Sequence, residues 1–568
     1  MPFLSLSVNP YTLAFVVLTI PPWLSAFIYS LQYIHQRKSY FYSFFALTFL
    51  SNLMIFFSSN LLSLLVFFEW MSIFSFLLVI YDRKESAMKA GKLYLTFSLF
   101  SGLFILAGIL LGTHPILRPY AVWVLSLGFL IKCGAFPFHV WLPEAHPVAP
   151  APASAILSGC IIKVGFYGMM QILVIYHPKD FGYGIFIIVI ALITMLIGVI
   201  QALVQAQAKK MLAYHSVSQM GYILLGLGLF LITHSDVALL GAILHAMNHA
   251  YFKSALFLSI GAVGQEAQQS SVDMYKIKGF FQRSPWLSIC FLVAVLGISG
   301  APFFNGFVSK TLLHEELIHS HHPFAFFKQI ETLFMITAIG TFVSNFKMFY
   351  LINRYDNKIK IQWKNFSILK FAPLAFLAIL ILLFGLHPVF YEKIIPEVLK
   401  HSGQELFEGV SPFHHLFNHG LPGFFTIEFI GIMVIYFGLK TGIFHIKLPH
   451  IILYSWYHIY QQLENFFRWN LKKSEIFVVG HYMILQRLFN SLFLKTCQKV
   501  DDKIICTYGN ASRVVDNVFS ASSNREGSDA LRYNDFIEKY GKVLVIWLMV
   551  LILLATILFV WIYLGYFT

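Results

Sequence analysis

The sequence predicts an all-α, polytopic membrane protein of about fourteen transmembrane helices, with two inverted five-helix repeats that each contain a broken helix. Three observations lead there. Hydrophobic residues make up 58% of the 568 positions and charged residues only 12%, where a soluble chain carries roughly a quarter charged residues. Apolar runs of about 18 or more residues recur along most of the length, each long enough to cross about 30 Å of hydrocarbon. Two of these runs are interrupted by glycine and proline at matching places.

By length and polarity the spans centre on 11–31, 40–57, 60–80, 92–112, 119–138, 153–176, 183–204, 211–231, 237–263, 286–318, 330–353, 367–388, 424–441 and 543–566. The first lacks a basic n-region and a small-residue cleavage site, so it is expected to remain as a membrane helix. The fifth reads GFLIKCGAFPFHVW, broken at Lys132, Gly134 and Pro137; the tenth reads GISGAPFFNGFVSK, broken at Gly300, Pro302 and Gly306 before Lys310. Such breaks free backbone groups that lipid cannot satisfy, so they belong inside the protein, lining an ion path. Spans two to six and seven to eleven form the two units, and the broken helix is fourth in each. An odd number of helices per unit makes the two units opposite in topology.

Loop charge orients the chain. With the N-terminus outside, the inward loops hold about fifteen Lys and Arg and the outward loops about five. The inward group includes Arg37, Lys38, Arg83, Lys84, Lys209, Lys210, Lys276, Lys278 and Arg354. Both termini then face outward. The net charge of +14 reads as this orientation signal and not as a nucleic-acid surface. The expected organisation is an N-terminal span (1–39), the first repeat (40–176), the second repeat (183–353) and two additional spans (367–441). A cytoplasmic or lateral segment (442–541) and a last span (542–568) follow. In the lateral segment Leu453, Trp456, Tyr460, Leu463 and Phe467 recur at helical spacing between polar residues, the pattern of an amphipathic helix lying on a membrane or against neighbouring proteins.

Function is read from charges inside apolar runs. Each costs about 2.5–3.5 kcal/mol on insertion scales and is rare without a purpose. Glu69 lies in LLVFFEWMSIF, Lys132 in the first broken helix, and Lys163 in AILSGCIIKVGFYG. His245, His249 and Lys253 lie in HAMNHAYFKSALF, and Lys310 ends the second broken string. The spacing of His245, His249 and Lys253 is i, i+4, i+8, which stacks them on one helix face. Histidine titrates near neutrality, so such a row can pass protons from site to site. His139, His146 and His215 sit at helix ends or loops, where capping and packing are as good a reading as transport. The five cysteines, Cys133, Cys160, Cys290, Cys497 and Cys506, form no CxxC pair, and no carboxylate or cysteine joins the histidine row. No metal, cofactor or redox centre is therefore expected in this chain. Gly226–Gly228 sits inside an apolar run and reads as helix packing, not nucleotide binding.

At these residues the sequence resembles a known family: the antiporter-like subunits shared by respiratory complex I, Mrp-type cation/proton antiporters and membrane-bound energy-converting hydrogenases. The strings that carry the resemblance are FFEWMSIFSFLLV, GFLIKCGAFPFHVWLPEAHPVAPAPASAILSGCIIKVGFYG, KKMLAYHSVSQMGYILLGLG, LHAMNHAYFKSALFLSIGAV and GAPFFNGFVSK. They tie residues 61–310 to the family, in the family's order. HPVAPAPASA and AYHSVSQ look most like the hydrogenase-type branch. The resemblance implies that Glu69 and Lys132 are the family's glutamate–lysine pair and that Lys163 is the lysine of the next helix. It makes His249 and Lys253 the central relay, with His245 one turn earlier, and Lys310 the terminal ionisable residue. Family members usually carry two more helices ahead of the equivalents of the first two spans. The closing span, polar segment and final span resemble the lateral-helix arm of the largest complex I antiporter-like subunit, by topology.

The resemblance implies a proton-translocating subunit of a multi-subunit, redox-driven complex in a bacterial inner membrane. Its partners would be other membrane subunits and a peripheral redox module. Protons, or sodium ions, would be the cargo. The alternatives are an Mrp-type Na+/H+ antiporter subunit, a membrane partner of an inorganic-carbon uptake complex, or a non-pumping scaffold. A scaffold need not retain costly buried charges.

Overall fold

The structure is a computed structural model. It describes residues 5–8, 10–178, 180–269, 271–319, 326–363, 366–387 and 413–441. The lateral segment, the last span, Lys179, Lys393 and Lys400 lie outside the described residues.

The described residues are almost entirely helical, with isolated bridges only at Leu6–Ser58 and Gln207–Asp273. Eleven helices among them are long and apolar enough to cross a membrane, counting interrupted ones as single spans. After α1 (Pro10–Tyr33) come α2 (Lys38–Phe57), α3 (Leu61–Val79) and α4 (Glu85–Thr113). The chain continues with α5 (Arg118–Cys133) and α6 (Trp141–Val148), then α7 (Ala151–Ile156) and α8 (Lys163–Tyr176). Next are α9 (Phe181–Leu203), α10 (Ala208–Thr233) and α11 (Asp236–Glu266). The short α12 (Phe280–Arg283) leads into α13 (Pro285–Ser299), α14 (Asn305–His319) and α15 (Phe326–Asn353). Then come α16 (Ile368–Leu386) and α17 (Phe413–Thr441). α11 is 31 residues long, or about 46 Å at 1.5 Å per residue. It is not among the eleven because its histidines, lysine and asparagine lower its hydropathy.

The two breaks are built alike. α5 stops at Gly134, whose φ of 65° is left-handed. There the Gly134 N–H donates to Ile131 O and the Ala135 N–H to Leu130 O. α13 stops at Gly300, φ 81°, with Gly300 N–H on Gly297 O and Ala301 N–H on Leu296 O. Both are Schellman ends, which satisfy otherwise orphaned carbonyls and need a residue with no Cβ in the left-handed region. The first break resumes as a short 3₁₀ turn, Phe138–Val140, and then α6. It therefore reaches Val148, ten residues beyond the expected end of that span. The second resumes as α14, so Lys310 stands mid-segment and not at its end.

A third irregularity lies between α7 and α8. Leu157–Ile161 forms a π-turn, with Ile162 N–H reaching back to Leu157 O at 3.3 Å. Sequence periodicity does not announce it. α11 runs through the middle of the bundle, packing on α1, α7, α10, α13, α14 and α16, and every residue from Ala238 to Gly264 is buried. Several charges assigned to loops lie on helices. Lys89 and Lys92 are inside α4, and Lys209 and Lys210 form the first turn of α10.

Candidate functional site

Glu69 faces inward from α3 and is 6% exposed. Its Oε2 has no hydrogen-bond partner. Opposite it stands Gly102 of α4, where an added Cβ would collide with the Glu69 carboxylate. The missing side chain is what makes the seat. Lys132, in the last turn of α5, does not touch Glu69: no ion pair within 4 Å joins them among those of the described residues. Its ammonium donates instead to three hydroxyls: Ser72 Oγ at 3.1 Å, Tyr94 Oη at 3.3 Å and Ser98 Oγ at 3.3 Å. The rings of Phe68 and Tyr94 lie 4.9 and 5.1 Å from it. Ser72 is three residues after Glu69, so one face of α3 carries both the carboxylate and a rung of the lysine's cage.

Lys163 opens α8 directly after the π-turn. It is fully buried and donates to Ser158 O within that turn. Ser158 in turn bonds Ser216 Oγ of α10 at 2.6 Å. The π-turn thus tilts a carbonyl toward the lysine, the kind of local backbone irregularity often found at functional positions.

The row on α11 faces α10. His245 Nε2 lies 3.1 Å from Gln219 Oε1 and its Nδ1 3.0 Å from Ser309 Oγ of α14. Lys253 donates to Leu212 O at 2.7 Å. His249, between them, is fully buried, and neither ring nitrogen has a hydrogen-bond partner among the described residues. Leaving one buried polar group unpaired costs about 1–3 kcal/mol, so an imidazole with two bare nitrogens is an expensive way to fill space. Lys163, Lys253, His245 and His215 all act on it electrostatically. Lys310 Nζ folds back over the second break. It donates to Ile298 O at 2.8 Å and Ser299 O at 3.4 Å, and lies 5.4 Å from the Tyr222 ring. Gly300 leaves room for this: its Cβ would stand 3.0 Å from Lys310 Cδ.

Four buried groups were not singled out as transport residues by their sequence. Lys347 of α15 is fully buried and donates to Leu203 O at 2.6 Å. It is a lone lysine in an apolar run, the same signal that marked Lys163. Lys209 is 9% exposed and donates to Ala149 O at 2.7 Å. His215 meets Ser344 Oγ at 2.6 Å and Asn345 Nδ2 at 3.3 Å. Gln219 is a neutral polar residue, too common in helices to stand out.

Residues 58–337 match the family model described as NADH:quinone oxidoreductase/Mrp antiporter, transmembrane. The chain is similar to hydrogenase-4 component B of Escherichia coli (strain K12), 36% identical over 273 residues, 43% of this chain and 40% of that protein. It is also similar to the putative antiporter subunit mnhA2 of Staphylococcus aureus, 30% identical over 399 residues, 63% of this chain and 49% of that protein. The chain thus spans less than half the length of these two curated relatives. In fold it resembles a chain of the Mrp complex from Dietzia sp. DQ12-45-1b, with TM-score 0.61 and 20% identity over 72% of this chain and 85% of that one. A chain of the membrane-bound sulfane sulfur reductase, an archaeal respiratory membrane complex, gives TM-score 0.62 and 22% identity over 70% and 83%. Residues 58–337, and with them every side chain from Glu69 to Lys310 described above, fall within the match to the NADH:quinone oxidoreductase/Mrp antiporter transmembrane family.

Proposed function

We propose that this chain is a proton-translocating, antiporter-like subunit of a multi-subunit membrane complex driven by redox chemistry in its partners. One observation carries the reading. Seven ionisable side chains, Glu69, Lys132, Lys163, His245, His249, Lys253 and Lys310, are buried in the bundle, yet none takes part in an ion pair within 4 Å among the described residues. A structural charge is normally matched by its opposite. Their polar partners are hydroxyls, backbone carbonyls and the Gln219 amide, an arrangement that tolerates a change of protonation. Approach of Glu69 holds a proton on Lys132, and withdrawal releases it. The proton then moves by Lys163, His249 and Lys253 toward Lys310, helped by water.

The repeats are taken as 40–176 and 183–353, the membrane as a bacterial inner membrane, and both termini as outward. Membrane subunits and a peripheral redox module are the partners. The Mrp-type reading, exchange of protons for sodium without a redox partner, is favoured by the longer match to the Staphylococcus antiporter subunit. The test compares membrane abundance and proton flux of Glu69→Gln, Lys132→Ala and the double variant Glu69→Gln with Lys132→Met in vesicles holding the complex. Each single change is expected to remove most coupled flux without blocking insertion, and the double variant to stay inactive. Normal flux in the double variant makes the pair structural and ends the proposal. Sodium-dependent flux in the wild type without a redox donor selects the Mrp-type reading.

A further inference from the structure

The route above starts and ends inside the protein and has no mouth. His146 stands where one is needed. It lies on α6, the short helix after the first break, and is 1% exposed. Among the described residues, neither of its ring nitrogens has a hydrogen-bond partner. Its ring stacks on Phe257 of α11, with centroids 4.5 Å apart and planes 18° from parallel. Lys253 Nζ lies 6.0 Å from the centroid of that same Phe257 ring. His146 and Lys253 therefore share one aromatic neighbour.

Two residues before His146 on the same helix, Glu144 reaches the surface. Its side chain is 48% exposed and pairs with Lys210 at 2.8 Å. A solvent-facing carboxylate, a buried imidazole with two bare nitrogens and the central lysine thus follow one another over a single short helix and its neighbour. Loop charge puts this end of α6 on the inward side, with Lys209 and Lys210 beside it. An apolar side chain would stack on Phe257 as well without leaving two buried nitrogens unpaired, each at the cost of an unmade hydrogen bond. An imidazole is suited to the place when water reaches it and protons pass through it.

We propose that His146 is an inward inlet that joins the proton route at Lys253, taking protons from the solution at Glu144; this rests on the reading given under the proposed function. In the step, an N–H bond forms on one ring nitrogen as a hydrated proton arrives, giving the imidazolium. The N–H bond on the other nitrogen then breaks, and that proton crosses water to the free amine of Lys253. The imidazole returns to neutral with its tautomer exchanged, and no electrons are transferred.

The experiment uses sealed vesicles holding the whole complex, with His146→Phe, His146→Ala and Glu69→Gln variants. His146→Phe keeps the stack on Phe257 and cannot carry a proton. Both His146 variants are expected to reach the membrane in normal amount and to lose flux by roughly a hundredfold or more, the usual weight of a positioned acid–base group. Imidazole supplied on the face carrying Glu144 should restore His146→Ala and leave His146→Phe inactive; a purely structural role gives no such rescue. Flux within twofold of wild type in His146→Phe, in vesicles where Glu69→Gln still blocks transport, overturns the inlet and spares the wider reading. So does a loss in His146→Ala that imidazole on neither face repairs. Equal flux in wild type and Glu69→Gln fails the wider reading instead. If His146→Ala does not insert, His146→Phe decides alone.

Discussion

The two halves hold their lysines in different ways. In the first unit Lys132 is caged by the hydroxyls of Ser72, Tyr94 and Ser98. Across the π-turn and the second unit the lysines rest on backbone carbonyls: Lys163 on Ser158, Lys253 on Leu212, and Lys310 on Ile298 and Ser299. A hydroxyl can accept from an ammonium and can also donate to the lone pair of a neutral amine, whereas a carbonyl only accepts. The hydroxyl cage therefore fits both protonation states of Lys132, and its preference is left to Glu69. The carbonyl seats always ask for an N–H, and they cannot turn. Under the proposed function, the seat of Lys132 is the one a partner charge would switch, and the seats beyond the π-turn are the ones that would pass a proton on.

The sharpest way to break this contrast is at the second break itself. A Cβ on Gly306 would run into the Gly297 carbonyl, a backbone atom that cannot swing aside. Gly306→Ala is expected to push α14 from α13 and to destabilise by more than about 3 kcal/mol, in the range reserved for core overpacking. Membrane abundance and protease resistance read it, and a fully folded variant would mean that the carbonyl seat under Lys310 is not held by this close approach.

A smaller loss is expected from the cage. Ser72→Ala, Tyr94→Phe and Ser98→Ala each remove a hydrogen bond to a charged group, worth about 1.5–3 kcal/mol in general. The single variants should slow proton flux several-fold, and the triple variant should approach Lys132→Ala. If the triple variant pumps normally, the distinction between hydroxyl and carbonyl seats has no functional weight. The carbonyl seats admit no equivalent side-chain deletion, so the comparison is one-sided by chemistry.

The smallest effect is expected at the first break. Gly134 is left-handed, as Gly300 is, but its added Cβ would meet only the end of Leu142, at 3.1 Å. Gly134→Ala should cost about 1–2 kcal/mol, the penalty of that region for an L-residue, and leave flux measurable. A loss as large as that of Gly306→Ala would show that both breaks are equally constrained.

Much of this was legible in the sequence, and the reasons are physical. Apolar run length located the spans, because hydrocarbon thickness is fixed. The glycines at 134 and 300 located both breaks, because only a residue without Cβ ends a helix in that conformation cheaply. The positions of Glu69, Lys132, Lys163 and the α11 row stood out because a charge in lipid is costly. Their partners did not stand out. A backbone carbonyl has no letter in the sequence, so the seats of Lys253 and Lys310 could not be read. Nor could the separation of Glu69 from Lys132, since charge alone leads one to expect contact. Lys209 looked like a loop charge because the start of α10 has no strong cap: Gln207 makes no side-chain capping bond. Lys347 obeyed the rule that marked Lys163 and was passed over all the same.

The π-turn at Leu157–Ile161 has a consequence for how such chains are compared. A π-turn takes one residue more than the α-turn it replaces, so in geometry it equals one residue added to a straight helix without breaking it. A gapless alignment with a straight helix would place every residue after 161 one step out of register, about 100° around the axis. Lys163 would then be matched to a position pointing elsewhere. Equivalence at this helix is a matter of which carbonyl the lysine reaches, and only a one-residue gap between 157 and 161 preserves it.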